Sequence, residues 1–208
     1  MKLIFLHGLG QRKDSWDKVI AELPEQDCLA LDLFPNGQMP DNFDLLRQQV
    51  LAVLNVQTES FVLVGLSLGG MLALSFINEK LPLLKGLIIS AGQYKLMGNL
   101  SYRLQGLAFK CLPASFFKKQ GLDKATLISF YQSISDLDMT AALKDFQKPV
   151  LTICGEKDKI NLKTSRTIAQ LAPQGEFRIV PEGNHTLNKD FPVVLSQEVQ
   201  AFMALLNQ

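Results

Sequence analysis

Short apolar runs alternate along the chain with longer segments whose apolar residues recur at helical spacing. The runs at residues 2–7, 28–33, 61–66, 86–90, 150–154 and 176–180 are nearly continuous in apolar character. Strands covered on both faces need that pattern, so these runs predict a parallel sheet. Between them, residues 44–56 set Leu45, Leu46, Val50, Val53 and Leu54 on one stripe. Residues 191–206 do the same with Val194, Leu195, Val199, Phe202 and Leu206. Both stripes predict amphipathic helices. Strands alternating with helices imply βαβ units and a three-layer α/β fold.

One stretch breaks the rhythm. Between Ser90 and Pro149 lie nearly sixty residues without a good strand pattern. Residues 100–112, 124–135 and 140–146 read as helical. A structureless connection of this length is uncommon. Residues 93–146 are therefore expected to form a small helical insertion over one end of the sheet, within a single domain spanning residues 1–208. The insertion is rich in apolar side chains, among them Met97, Leu104, Leu107, Phe116 and Phe130. Most are expected to pack the insertion onto the sheet and some to line a pocket. Lys118 and Lys119 fit a solvated charge pair better than a carboxylate site.

Composition narrows the function classes. The 208 residues are 47% hydrophobic and 20% charged, with 21 basic and 20 acidic side chains and a net charge of +1. That balance gives no reason to expect nucleic acid or an anionic membrane as partner. No segment approaches the roughly 20 apolar residues of a membrane span. The N-terminal apolar run is too short for a signal peptide. The three cysteines, Cys28, Cys111 and Cys154, are odd in number and widely spaced. They read as neither a disulfide framework nor a zinc site, which suits a reducing, cytoplasmic setting. No metal or organic cofactor is implied.

The candidate chemistry begins at Gly65-Leu66-Ser67-Leu68-Gly69. This G-x-S-x-G pattern follows the apolar run 61–64 and precedes a helix-compatible run, the strand–turn–helix setting that the motif requires. Such a turn projects the Ser67 hydroxyl away from the sheet. Glycines on either side let neighbouring backbone approach closely. The helix starting near Leu68 aims free N–H groups at a developing oxyanion. A serine hydroxyl needs a base to take its proton. Only His7 and His185 are available. His185 follows the last predicted strand, and loops after parallel strands gather at the carboxyl edge where Ser67 sits. His7 closes the first strand and reads as a buried, hydrogen-bonded residue. Asp158, directly after the strand at 150–154, is the candidate acid orienting His185. Glu156 is its nearest competitor, and the structural alternative for Asp158 is to cap a helix beginning near Leu162 or to solvate a turn. The loop Gly8-Leu9-Gly10 should supply a second oxyanion donor, the N–H of Leu9, beside the N–H of Leu68.

Taken together, His7-Gly8-Leu9-Gly10, Trp16, Leu31-Asp32-Leu33, Gly65–Gly70, Cys154–Asp158 and Gly183-Asn184-His185 resemble the α/β-hydrolase superfamily, in particular its small carboxylesterase and lipase-like members. The order Ser67, Asp158, His185 along the chain is that superfamily's order. The resemblance implies a three-layer α/β-hydrolase fold, here with a truncated, mostly parallel six-stranded sheet and a short helical cap at residues 93–146. It implies a serine hydrolase acting on a small-molecule carboxylic ester or thioester. Two alternatives stay open: a C–C lyase or synthase using the same triad, as in menaquinone-pathway relatives, and a non-catalytic small-molecule receptor.

Overall fold

The computed structural model describes residues 1–118 and 123–206. Six strands, β1 (Lys2–Leu6), β2 (Asp27–Leu31), β3 (Phe61–Leu66), β4 (Leu84–Ser90), β5 (Val150–Gly155) and β6 (Gly175–Val180), form one sheet in the order β2-β1-β3-β4-β5-β6. Every neighbouring pair is parallel. All carboxyl ends therefore share one edge, and the loops that follow them converge there. The six apolar runs of the sequence are these six strands, shifted by no more than two residues at either end.

Alternation along the strands divides the core into two layers. Ile4, Leu6, Leu63 and Leu87 point to one face and meet Leu46, Val50 and Leu54 of α2 (Phe43–Asn55) and Met71 and Leu72 of α3 (Leu68–Leu74). Leu3, Phe5, Val62, Val64 and Ile153 point to the other and meet Leu195, Val199 and Phe202 of α10 (Pro192–Leu206). Each of these fully covered side chains contributes about 1.5–3 kcal/mol relative to exposure. β3, wholly buried as β5 is, is thus firmly anchored, and it is the strand that delivers Ser67.

The chain between β4 and β5 forms α4 (Leu100–Cys111), α5 (Ala114–Lys118), α6 (Lys124–Ser133) and α7 (Thr140–Asp145). Its β pairing among the described residues amounts to one bridge between Lys95 and Asp138. α6 is fastened to α2. The Phe43 N–H donates to Ser133 Oγ at 2.9 Å, and Phe130 packs edge-on to Phe43 with ring centroids 6.1 Å apart. The helices of the first half, α1 (Asp17–Ala21) to α3, and of the last, α8 (Lys159–Leu171), α9 (Leu187–Asp190) and α10, complete the two outer layers.

Candidate active site

The turn after β3 is strained. Ser67 has φ 54° and ψ −112°, a region that costs a residue with a side chain about 1–3 kcal/mol. Its neighbours over-determine it. The Ser67 N–H donates to the Ser90 carbonyl at the end of β4 (2.8 Å), and its own carbonyl accepts from Met71 N–H (2.9 Å). A Cβ on Gly69 would overlap the Leu6 carbonyl oxygen and lie 2.8 Å from that of His7. Only glycine lets α3 start this close to the end of β1. Leu68 is the first residue of α3, so its N–H has no acceptor within the helix and sits at the positive end of the dipole.

His185 and Asp158 meet across two loops. His185 Nδ1 lies 2.7 Å from Asp158 Oδ2. The Asp158 side chain is 6% exposed and that of His185 44%. The loops are laced together: Lys157 N–H donates to the Gly183 carbonyl (2.8 Å) and Glu156 N–H to that of Val180 (3.0 Å). A Cβ on Gly155 would run into Gly183 and Asn184 backbone, so the His185 loop crosses directly over the end of β5. Glu156 faces the other way. Its Oε2 accepts the Glu182 N–H at 3.0 Å, which gives it a place in the loop and none beside the imidazole.

Asp158 holds both positions offered by the sequence. It caps α8, which starts at Lys159 instead of near Leu162, by accepting Asn161 N–H. It also bonds His185. Asn161 Nδ2 reaches both carboxylate oxygens, at 2.9 and 2.8 Å, and Asn161 Oδ1 accepts Gln93 Nε2 at 2.5 Å. Burial pushes the Asp158 carboxyl up, but the hydrogen bonds from His185 and Asn161 outweigh it and hold the group below its ordinary range.

His7 is fully buried. Leu33 N–H donates to its Nε2 (3.0 Å), so Nδ1 carries the proton and donates to the Gly8 carbonyl (2.9 Å). Burial lowers its pKa, against weaker opposing effects of Gly8 and Asp32. It ties the end of β1 to the chain after β2 as a neutral ring. The loop beyond it is fixed by Gln11, whose Oε1 accepts from Gly8 N–H (3.3 Å), Ser15 Oγ (3.3 Å) and Asn188 Nδ2 (3.1 Å). Asn188 belongs to α9, just past His185, so Gln11 sets the Leu9 loop against the histidine loop.

Leu9, Ser67, Leu68, Asp158 and His185 all line one cavity of about 610 Å³. Its wall is largely apolar: Met71 from α3, Leu96, and Leu127, Phe130 and Ile134 from the helical segment. Among the described lining residues none is Lys or Arg. The Lys118 side chain and Lys119 lie outside the described residues. A second cavity, of about 470 Å³, shares Tyr102 and Tyr131 with the first but has no carboxylate, thiol or imidazole in its described wall. Among the described residues no hydrogen bond joins Ser67 to His185.

A family model described as Alpha/beta hydrolase family matches residues 3–198. The chain belongs to the alpha/beta hydrolase family. Among solved structures of the family's fold, an esterase from Thermogutta terrifontis superposes with TM-score 0.84 at 16% identity, covering 100% of this chain and 91% of the other. MenH from S. aureus superposes with TM-score 0.84 at 17% identity, covering 100% and 95%. By sequence, a Haemophilus influenzae protein is 43% identical over 84 residues, a match covering 36% of this chain and only 33% of the relative. A Klebsiella pneumoniae (strain 342) protein named 2-succinyl-6-hydroxy-2,4-cyclohexadiene-1-carboxylate synthase is 27% identical over 233 residues, 93% of this chain and 90% of the relative.

The structure brings every sequence-predicted site residue of this alpha/beta hydrolase to one cavity. Sequence reasoning missed Asn161, Gln93 and Gln11. The only available signal was a polar residue three places after the candidate acid, at the spacing of a helix first turn.

Proposed function

We propose that this alpha/beta hydrolase is a serine hydrolase that cleaves a carboxylic ester or thioester carrying an uncharged, apolar acyl group. One observation carries the reading: Ser67, on a strained turn, shares an apolar cavity with a histidine whose far nitrogen is bonded to a buried carboxylate. Ser67 Oγ attacks the acyl carbonyl as His185 Nε2 takes its proton. The N–H groups of Leu9 and Leu68 receive the oxyanion. The protonated His185 then gives its proton to the leaving alcohol or thiol. Water repeats the sequence on the acyl-enzyme and releases the acid. Asp158 keeps the Nδ1 proton in place and stabilises the charged ring. The Ser67–His185 contact tightens with substrate in place, as such bonds commonly do. In this reading residues 93–146 act as a short cap whose inner side chains hold the acyl chain. The site works without metal or organic cofactor, and the unpaired cysteines fit a cytoplasmic protein.

The name of the Klebsiella relative favours a second reading, a synthase or lyase in which the same base removes a proton from carbon. The product in that name carries carboxylate and succinyl groups. The described cavity wall is largely apolar, with Met71, Leu96, Leu127, Phe130 and Ile134, which suits an uncharged acyl group better than such a molecule, so we place the hydrolase first. The test is a panel of p-nitrophenyl esters from acetate to palmitate. Release should rise toward medium chains, fall for palmitate and vanish in Ser67→Ala. Labelling of Ser67 by a fluorophosphonate without release from any ester would favour the synthase. Absence of both would point to a non-catalytic receptor and overturn the proposal.

A further inference from the structure

Four hydrogen bonds reach the Asp158 carboxylate. His185 Nδ1 supplies one. Asn161 supplies the other three, one from its backbone N–H and two from its side-chain amide. The amide spans both oxygens, so it fixes the rotation of the carboxylate plane and not merely its charge. Its orientation is forced. Turned over, Asn161 Oδ1 would face the carboxylate and Nδ2 would face the Gln93 amide nitrogen, two repulsions in place of three bonds. Gln93 Nε2, 2.5 Å from Asn161 Oδ1, thus locks the amide in the productive sense. Gln93 stands three residues after β4 and lines the cavity itself. Asn161 is 8% exposed, so water cannot readily replace its donors.

We infer that Asn161 is a positioning residue for the Ser67–His185–Asp158 chemistry, held in place by Gln93, an inference that rests on the hydrolase reading above. The chain Gln93–Asn161–Asp158–His185 connects the first residues of the helical segment to the base. Asn161 also lies 3.3 Å from His185 Nδ1, but that nitrogen already gives its proton to Asp158, so the amide acts through the carboxylate. A carboxylate relieved of both amide donors keeps one long backbone bond, at 3.3 Å, and is free to rotate away from the ring. In metal sites, outer-shell partners that orient a histidine or carboxylate typically change activity about 10–100-fold when removed, and a loss of that order is expected here by analogy.

A double-mutant cycle on ester hydrolysis tests this. Asn161→Ala should lower kcat about 10–100-fold with KM within about twofold, and Gln93→Ala should lower kcat less. In the Asp158→Ala background, Asn161→Ala should cost nothing further, because its effect passes through the missing carboxylate. Proton NMR supplies a readout independent of turnover. The parent should show a downfield resonance from the His185 Nδ1 proton, and this resonance should broaden or shift in Asn161→Ala while circular dichroism stays native. A wild-type kcat in Asn161→Ala, or the same loss again in the Asp158→Ala background, overturns the inference. An Asp158→Ala variant as fast as the parent overturns the triad reading itself, and the role of Asn161 falls with it. Unfolding of Asn161→Ala with an undisturbed Nδ1 resonance in Gln93→Ala would assign Asn161 to stability alone and likewise overturn it.

Discussion

Gly69 and Leu6 touch through backbone: a side-chain carbon on Gly69 would overlap the Leu6 carbonyl oxygen. The contact seats α3 against the end of β1 and so holds the Ser67 turn beside the Leu9 loop. Neither partner can retreat, since Leu6 is paired with Leu31 and Gly65 in the sheet. Gly69→Ala should therefore destabilise the fold by about 3 kcal/mol, the upper end for overpacking. At about 2–4 °C per kcal/mol for a chain of this size, its Tm should fall by about 6–12 °C. Thermal melts followed by circular dichroism give the answer, and a Tm equal to the parent's would refute this account of the turn.

The backbone strain at Ser67 predicts the opposite sign. With φ 54° and ψ −112°, the residue carries a cost that glycine avoids. Ser67→Gly and Ser67→Ala both lose the hydroxyl, so their difference isolates the backbone. Part of the relief is offset by the greater freedom of glycine in the unfolded chain, leaving about 1 kcal/mol in its favour. Ser67→Gly should melt about 2–4 °C above Ser67→Ala, and both should be inactive on esters. A glycine variant that melts lower would show that the turn stores no strain.

The Ser67 turn is legible in the sequence because its strand–turn–helix setting is local, whereas the contact of Gly69 with Leu6 is not. Strands covered on both faces must be apolar throughout, so β3 and β5 stand out in the sequence. The glycines around Ser67 mark a turn that other residues cannot make. His185 was identified by scarcity and by its place after β6. Asn161 and Gln93 were not legible in the same way. They are 68 positions apart, and their amides matter only because the turn after β4 passes the start of α8. Gln11 illustrates the same point, bonding Asn188 from 177 positions away. A polar residue whose partner lies on another loop carries no periodicity, and tertiary packing alone gives it meaning. Asp158 stands between these cases: its capping of α8 is local and its bond to His185 is not.

The two roles of Asp158 separate by experiment. Asp158→Asn keeps the size of the side chain but changes what it can accept. By analogy with serine protease triads, kcat should fall about 10⁴-fold. Glu156→Gln, whose carboxylate only accepts the Glu182 N–H, should stay within about twofold of the parent, as exposed side chains away from the reacting atoms generally do. The stability effect has a pH signature. Because the folded carboxyl is held below its ordinary range, its contribution is complete above the unfolded value near 3.9 and is lost as pH falls through the folded value. The stability gap between parent and Asp158→Asn should accordingly narrow on acidification below about pH 4. Greater kinetic damage from Glu156→Gln than from Asp158→Asn would reassign the acid.

His7 supplies a second pH dependence, at higher pH. The folded ring is neutral, with Nε2 accepting the Leu33 N–H and burial lowering its pKa. The unfolded chain binds the proton at the ordinary value of about 6.5, so below that pH the unfolded state takes up more protons than the folded one. The stabilisation is complete above about 6.5 and declines as pH drops toward the folded value. Urea unfolding from about pH 7.5 to about pH 5 should show this decline in the parent and a flatter profile in His7→Gln. The same variant should retain ester hydrolysis in proportion to its folded fraction, since the ring faces Gly8 and Leu33 and is absent from the cavity wall. A His7→Gln protein that is stably folded yet wholly inactive would mean that His7 handles the substrate's proton or positions the Leu9 N–H for catalysis, and that its burial serves chemistry before it serves the fold.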